Sequence, residues 1–444
     1  MERARIGSLE ELERRGCLVG KVGAQPVCVF LTDGEVHAVD DRCPHMGFPL
    51  HRGTVENGLL TCHWHFARFD LSSGGTLDPW ADDVRAHDVE LEGDDVVVRL
   101  RPVEDAAAHH LRRLEEGLEQ GLTLVTAKAV LGLMEVLGPE AGAKAAFRAG
   151  LAYGIANRSG GWGAGLTVLT AMANVLPHLE PSDRALALVH GLAFVSRDTR
   201  GRPPRFALAP LEGRAPTARL AAWYRRFVDT RSGDAAERVL ATAIATASDP
   251  SEVAELMAAA VTDHLFVDGG HTVDFTNKAF EALDQLGWEE AGRVLPSLAH
   301  QTASASRSEE SGAWRHPVDL PGLLARVQSD PPAAASPAEG GGGSSPRARD
   351  DAAPAELGWS ILADDPAEVV AALDGAVEGG ATAEELARAV AFAAALRMVR
   401  FHTQNDHGDW DVVHHAFTAA NAVHQLASRA PCPALVRGVY QGAV

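Results

Sequence analysis

Two short segments of the chain combine cysteine with histidine at close spacing. In the first, one residue separates Cys43 from His45, and in the second, two residues separate Cys62 from His65. Thiolate sulfur and imidazole nitrogen are ligands for zinc and for iron–sulfur centres. Each segment, folded as a tight loop, would supply one ligand of each type. Two such loops side by side would form a metal site.

The residues around these segments favour an iron–sulfur cluster over zinc. The pattern resembles the Rieske ferredoxin and Rieske oxygenase family over about residues 5–103. The resemblance extends to the residues that follow each loop, which are Gly47, Leu50, Gly53, Phe69, Asp70 and Gly74. It implies a [2Fe–2S] cluster that transfers single electrons, with Cys43, His45, Cys62 and His65 as its ligands.

Four further positions concern the reduction potential that the resemblance implies. High-potential Rieske proteins have a disulfide where this chain has Phe48 and Trp64, and hydroxyl donors where it has Ala67 and Phe69. Donors near the cluster stabilise its reduced state, so their absence lowers the potential. The resemblance therefore implies a low-potential centre of the type that feeds oxygenases, with a reductase or ferredoxin as electron donor.

The elements that must position these loops are short strands. Runs rich in β-branched residues recur before Pro102, as at Val27–Leu31 and Asp94–Leu100, with Gly and Asp between them. Such runs predict a small all-β domain. After Ala106, alanine and leucine dominate in long stretches that predict helices. We expect a small all-β Rieske domain followed by a large, mainly α-helical domain.

A second change of composition divides the helical region. Residues 329–355 are rich in proline, glycine and serine and bury too little apolar surface to fold, so they are predicted to be a disordered linker or insertion. The predicted domains are residues 1–103 for the Rieske domain, and 106–328 and 356–444 for the two parts of the helical domain.

Histidine and aspartate of the helical part concentrate in residues 263–274 and 402–415. Imidazole and carboxylate are ligands of non-haem iron. Both groups contain a similar Asp-x4-Ala-Phe helix, so we predict that they converge on a site that holds such an iron. The predicted catalytic residues are His264, Asp411 and His414, and the predicted metal ligands are His264, His271, His402 and His415.

Known catalytic motifs give little further guidance in the helical part. Rieske oxygenases carry Asp/Glu-x2-His-x4-His, but here Asp411-x2-His414 is followed by Ala419 at the expected position. The helical part is similar to questin-oxidase-like proteins, which are linked to oxidative ring cleavage, and no catalytic residue is transferred from that similarity. It rests on His190–Phe194, Pro203–Phe206, Trp314-Arg315 and His415–Thr418.

Charge and composition exclude several classes of partner. The formal net charge of −20 disfavours nucleic acids and anionic membranes and is compatible with a basic redox partner. Five cysteines are too few for a disulfide framework. Neither a secretory signal nor a membrane-spanning segment is predicted, so we expect a cytoplasmic protein.

These features lead to one main hypothesis and two alternatives. In the main hypothesis, a reductase or ferredoxin supplies electrons to the Rieske domain, and the helical domain oxidises a small organic substrate with O2. In the first alternative, the chain is a redox sensor or electron carrier with a helical docking or ligand-binding module. In the second, the helical domain is a metal-free oxidase and the Rieske domain regulates it.

Overall fold

A computed structural model describes residues 2–102, 105–213, 215–311, 317–335 and 352–444. Trp314 and Arg315, and residues 336–351 of the predicted linker, lie outside the described residues. The chain forms two compact units. The first is Met1–Ala149 with Glu180–Ser196, and the second is Gly150–Leu179 with Arg197–Val444. The domain boundaries expected from the sequence stay a prediction.

The β part of the first unit consists of short antiparallel strands and one helix, α1 (Leu9–Arg15). The strands are β1 (Arg3–Ser8), β2 (Cys17–Val22), β3 (Gln25–Thr32), β4 (Glu35–Asp40), β5 (Thr54–Glu56), β6 (Leu59–Thr61), β7 (Arg68–Asp70), β8 (Ala86–Glu92) and β9 (Asp95–Arg99). Six of them form a sheet in the order β1-β9-β8-β4-β3-β2, and β5-β6-β7 form a second sheet.

Strand β3 shows how the sequence builds the core on both faces of the larger sheet. Successive side chains of a strand point to opposite faces. Val27 and Val29 pack in an apolar cluster on one face. Cys28 and Phe30 pack in a second cluster, which also contains Cys43 and Cys62. The second cluster is therefore the support on which the two cysteine loops lie.

Two helices follow the strands in the first unit and form a hairpin, α2 (Ala106–Gln120) and α3 (Thr123–Leu137). Gly121 ends α2 in the left-handed region, with φ 71°, where glycine is unstrained. Gly117 permits close packing, because a Cβ there would lie 2.7 Å from Thr126 Oγ1.

The other helices confirm the expected helical region after the strands. Helices α4 (Pro139–Ala156) and α6 (Pro181–Thr199) contribute to both units. The second unit also contains α5 (Ala164–Val175), α7 (Thr217–Asp229), α8 (Gly233–Thr246), α9 (Pro250–Val261), α10 (His271–Leu286), α11 (Ala291–Val294), α12 (Ala299–Ser304), α13 (Ser308–Ser311), α14 (Leu320–Ser329), α15 (Ala352–Ser360), α16 (Pro366–Glu378), α17 (Ala383–Arg400), α18 (His407–Arg429) and α19 (Pro433–Ala443). Among the described residues, no helix combines the length and apolar character needed to cross a bilayer.

Helices α10 and α18, which contain the two Asp-x4-Ala-Phe segments, pack against each other. A tight turn before α10 makes this possible. Phe266, Asp268, Gly269 and Gly270 all have positive φ, and Gly270 has φ 92°. A Cβ on Gly270 would lie only 2.8 Å from Cβ of Ala419 on α18. The turn thus brings the start of α10 against α18, as the sequence comparison of the two helices predicted.

We expect Gly270→Ala to lower the free energy of unfolding by about 1–3 kcal/mol, because the new Cβ meets both an unfavourable φ and α18. Urea unfolding monitored by helical circular dichroism measures the change. The matched control is Gly375→Ala in α16, where no atom lies within 4 Å of the added Cβ. That change should stabilise the protein by about 0.5–1 kcal/mol. Equal stabilities for the two variants would contradict the close packing of the turn.

Candidate functional site

The first cysteine loop is closed by two hydrogen bonds between its ends. The Cys43 N–H donates to the carbonyl of Phe48 over 2.8 Å, and the Gly47 N–H donates back to the carbonyl of Cys43 over 2.7 Å. Gly47 has φ 84°, a conformation in which glycine is favoured. The loop leaves β4 and leads into a short 3-10 turn, Leu50–Arg52.

The second loop, between β6 and β7, repeats the geometry of the first. The Cys62 N–H donates to the carbonyl of Ala67 over 2.8 Å, and the Phe66 N–H donates to the carbonyl of Cys62 over 2.9 Å. Phe66 also has positive φ, 64°. The two loops are therefore structural equivalents, and each presents one of the predicted cysteine ligands and one of the predicted histidine ligands.

Glycines predicted from the family resemblance allow backbone segments to meet around the loops. A Cβ on Gly53 would lie 2.5 Å from the carbonyl oxygen of Thr61, which directly precedes Cys62. A Cβ on Gly74 would lie 1.9 Å from the carbonyl oxygen of Val84. Only glycine fits such approaches without a shift of the backbone.

The four predicted ligands come together between the loops. Cys43 and Cys62 are buried, and the rings of His45 and His65 meet edge to face with centroids 4.7 Å apart. Burial raises the pKa of Cys43 to about 11, and the adjacent Cys62 thiol acts in the same direction. Such thiols form thiolates readily only when a bound cation stabilises them.

One polar atom of this site is buried without a partner. Nδ1 of His45 has no hydrogen bond in the described structure. A buried nitrogen without a partner is unfavourable unless a ligand satisfies it. The unpartnered nitrogen and the two-thiol, two-imidazole donor set both fit a [2Fe–2S] cluster held by the four residues.

Apolar side chains surround the histidines. The ring of Trp80 lies 4.8 Å from that of His45. A cleft of about 500 Å³ is lined by His45, His65, Trp80 and residues 121–125 of the α2–α3 hairpin. On the loops themselves, Met46, Trp64 and Phe66 are 51%, 51% and 67% exposed. The histidine edges thus lie beside a cleft and an exposed apolar surface, while the cysteines are inside.

The α2–α3 hairpin contacts the β part through two cationic side chains that the sequence did not reveal. Arg113 donates to the carbonyls of Pro79 and Ala81 over 3.1 and 2.6 Å. Lys128 donates to the carbonyl of Pro44 over 2.5 Å and to that of His45. The Lys128 contacts join residues more than eighty positions apart, so no local motif could have indicated them.

Among the residues predicted for the helical site, the structure brings His271 and His415 together. Their ring centroids are 4.3 Å apart, with one ring on α10 and the other on α18. One turn further along α10 lies Asp274, which is buried, and burial raises the pKa of its carboxyl to about 6. Asp274 is the first residue of the Asp-x4-Ala-Phe segment of α10 and was not among the predicted site residues.

The other predicted residues of the helical part have separate surroundings. His264 lies between two carboxylates, with Nδ1 2.7 Å from Glu309 and Nε2 3.1 Å from Asp229.

Asp411 and His414 are exposed on α18, where Asp411 faces His407 at 3.7 Å. His402 is also exposed, and its Nδ1 accepts a hydrogen bond from the Gln404 amide over 3.2 Å. Among the described residues of the helical part, no group of three or more His, Cys, Asp or Glu side chains is arranged to hold a metal ion. The helical iron site and its residues stay a prediction.

Comparison with known proteins identifies the β part. A family model described as "Rieske [2Fe-2S] domain" matches residues 2–91. The ferredoxin component of biphenyl 2,3-dioxygenase from Rhodococcus jostii is 35% identical over 79 residues, which are 18% of this chain and 74% of that protein. Human apoptosis-inducing factor 3 is 33% identical over 97 residues, which are 22% of this chain and 16% of that protein.

A solved structure gives a match of similar extent. The ferredoxin of carbazole 1,9a-dioxygenase from Nocardioides aromaticivorans is 25% identical, with a TM-score of 0.22, and the match covers 23% of this chain and 100% of that one. The chain spans only 16% of the length of mouse and human apoptosis-inducing factor 3. By the family model and the dioxygenase ferredoxin component, the chain belongs to the family of proteins that carry a Rieske [2Fe-2S] domain.

Proposed function

We propose that this protein receives single electrons from a reductase or ferredoxin at its Rieske domain and uses them in an oxidation carried out by its helical part. The observation that carries the proposal is the pair of equivalent loops that places two buried cysteines behind two adjacent histidines. When bound there, a [2Fe–2S] cluster takes up and releases one electron at a time.

The cysteines and the histidines of the two loops would have different roles at this centre. Cys43 and Cys62 are buried and would hold the cluster away from water. His65 is exposed and His45 is partly so, and their rings line the cleft. Electrons would therefore enter and leave by the imidazole edges, where the distance to a partner is shortest.

The surface beside these edges supports docking of an electron-donor protein. Met46, Trp64 and Phe66 are exposed, and interfaces are enriched in methionine and aromatic residues. A net charge of −20 favours a partner with a basic surface. The similarity to ferredoxin components of biphenyl and naphthalene dioxygenase systems supports a reductase as that partner.

A pair of imidazoles on two packed helices, with a buried carboxylate on one of the same helices, supports the second half of the proposal. His271 and His415 are in contact, and the carboxyl of Asp274 lies one helical turn from His271. These groups can bind non-haem iron or move protons during oxidation of a small organic substrate with O2. The free thiols of Cys17, Cys28 and Cys432 support a reducing, cytoplasmic location.

The Rieske site should contain two irons and two sulfides per chain and give the protein a red-brown colour. We expect Cys62→Ser to abolish the visible spectrum, because serine does not replace a buried thiolate ligand. The control is Cys17→Ser, a free thiol outside both loops, which should leave the spectrum unchanged. Iron and sulfide analysis with absorption spectroscopy makes the test, and an intact spectrum in Cys62→Ser would sink the assignment.

Phe66→Ala should weaken docking of the electron donor and leave the cluster spectrum unchanged. Loss of one exposed aromatic contact at an interface costs about 1 kcal/mol, roughly a fivefold rise in the donor concentration that half-saturates reduction. Stopped-flow bleaching of the cluster by NADH and a flavin-dependent ferredoxin reductase measures it. Phe206→Ala removes another highly exposed aromatic residue and is the control. Equal effects of both substitutions would argue against docking at the loops.

The number of iron atoms bound per chain tests the proposed site in the helical part. If it holds a non-haem iron, the wild-type chain binds iron beyond the two of the cluster. His415→Ala should then remove that excess and stop substrate oxidation, with the Rieske spectrum unchanged. The control is His407→Ala, on the same helix and 93% exposed at its side chain.

Two irons in both wild-type and His415→Ala protein would contradict the iron site and favour one of the alternatives. Loss of oxidation in His415→Ala would then indicate a metal-free oxidase, and unchanged electron transfer without any oxidation would indicate a carrier or sensor.

A further inference from the structure

A lysine from the helical hairpin reaches the loop that carries Cys43 and His45. Nζ of Lys128, on α3, donates to the backbone carbonyls of Pro44 and His45. The side chain is partly buried. Both acceptors lie inside the closed loop, so the ammonium group is held against the backbone of the cluster site rather than in solvent.

The charge of Lys128 is not neutralised by an ion pair within the described part of the chain. Burial lowers the pKa of Lys128, and the acidic groups that oppose this are the Cys43 thiol and the Asp82 carboxylate. That carboxylate already lies 3.2 Å from Nε2 of His109 and 3.3 Å from Nε of Arg113. His109 and Arg113 therefore engage Asp82, and Lys128 keeps its contacts to neutral carbonyls.

The position of Lys128 is fixed by the packing of its hairpin. Arg113 on α2 binds the carbonyls of Pro79 and Ala81, which flank the tryptophan beside His45. Helix α3 packs closely on α2 at Gly117. Since both helices are anchored, Lys128 differs from a surface lysine whose ammonium group moves freely in water.

We propose that Lys128 is a positioning residue of the cluster site that raises the reduction potential of the cluster. Reduction adds one negative charge to the centre. A fixed, partly buried cation nearby stabilises the reduced form more than the oxidised form, because charges interact strongly where water is excluded. Net charge and hydrogen bonding around a cluster are recognised determinants of its potential.

The rise in reduction potential caused by Lys128 opposes the lower potential expected from Ala67 and Phe69, which supply no hydroxyl donors. The first helices after the strands then belong functionally to the redox centre. The proposal rests on binding of the cluster and is independent of any reaction in the helical part.

The test is a redox titration of the full-length, cluster-loaded protein, monitored by absorption and electron paramagnetic resonance. Lys128→Met keeps the apolar stem and removes the charge. At a fixed ambient potential, we expect the ratio of reduced to oxidised cluster to fall about tenfold, which corresponds to a midpoint lower by about 59 mV for one electron. Lys128→Arg keeps the charge and should titrate close to the wild type.

Lys144→Met is the matched control, since Lys144 is exposed on α4 in the same compact unit and its loss changes net charge equally. Its midpoint should equal that of the wild type. A loaded Lys128→Met protein with the wild-type midpoint overturns the proposal.

If Lys128→Met fails to bind the cluster, Lys128→Gln keeps a donor for the carbonyls without the charge. A loaded Lys128→Gln protein should show the lower midpoint, and the wild-type midpoint there also overturns the proposal. Loading of Lys128→Arg but of neither neutral variant overturns it too, because Lys128 would then serve assembly of the loop and not its potential.

Discussion

Placing two thiols side by side in an apolar interior is the constraint on which the first unit depends. Burial disfavours the thiolate form of Cys43, and the backbone around both cysteines must be held without help from their side chains. The same pair of hydrogen bonds closes each loop, and β6 and β7 fix the second loop directly. The glycines at 53 and 74 exist because these segments approach too closely for any side chain.

The α2–α3 hairpin also contributes residues to the surroundings of the two cysteine loops. Residues 121–125 complete the cleft beside His45 and His65, and cations from α2 and α3 take carbonyl groups of the β part as acceptors. A change of secondary structure therefore does not mark a change of compact unit in this chain. The first unit continues to Ala149, well past the last strand.

How much could be predicted from the sequence depends on the distance between the residues concerned. The four cluster ligands occur in two short motifs, and the glycines that support them follow at fixed spacings, so the Rieske domain was predictable. The contact of Lys128 with His45 and the edge-to-face contact of Trp80 with His45 depend on how distant segments meet. Neither residue has a local pattern that would distinguish it from other lysines and tryptophans.

In the helical part, too, prediction from the sequence fails where the outcome depends on how distant segments pack. The likeness of the two Asp-x4-Ala-Phe helices correctly indicated that α10 and α18 pack together, and one histidine pair does meet. Adjacent residues on a helix point about 100° apart. His415 therefore faces α10, while His414 and Asp411 are exposed. Which of two neighbouring histidines turns inward is decided by the packing of α18, which composition and spacing do not encode.

Phe66, the left-handed residue of the second loop, bears on the role of the exposed surface around it. Gly47 and Phe66 occupy the same left-handed position of the two loops, and a side chain there costs about 1–2 kcal/mol. A chain shaped by stability alone would use glycine at both. The second loop instead has a large ring that is mostly exposed to water. In the docking proposed above, this strained corner lies on the side of the Rieske domain that the electron donor covers.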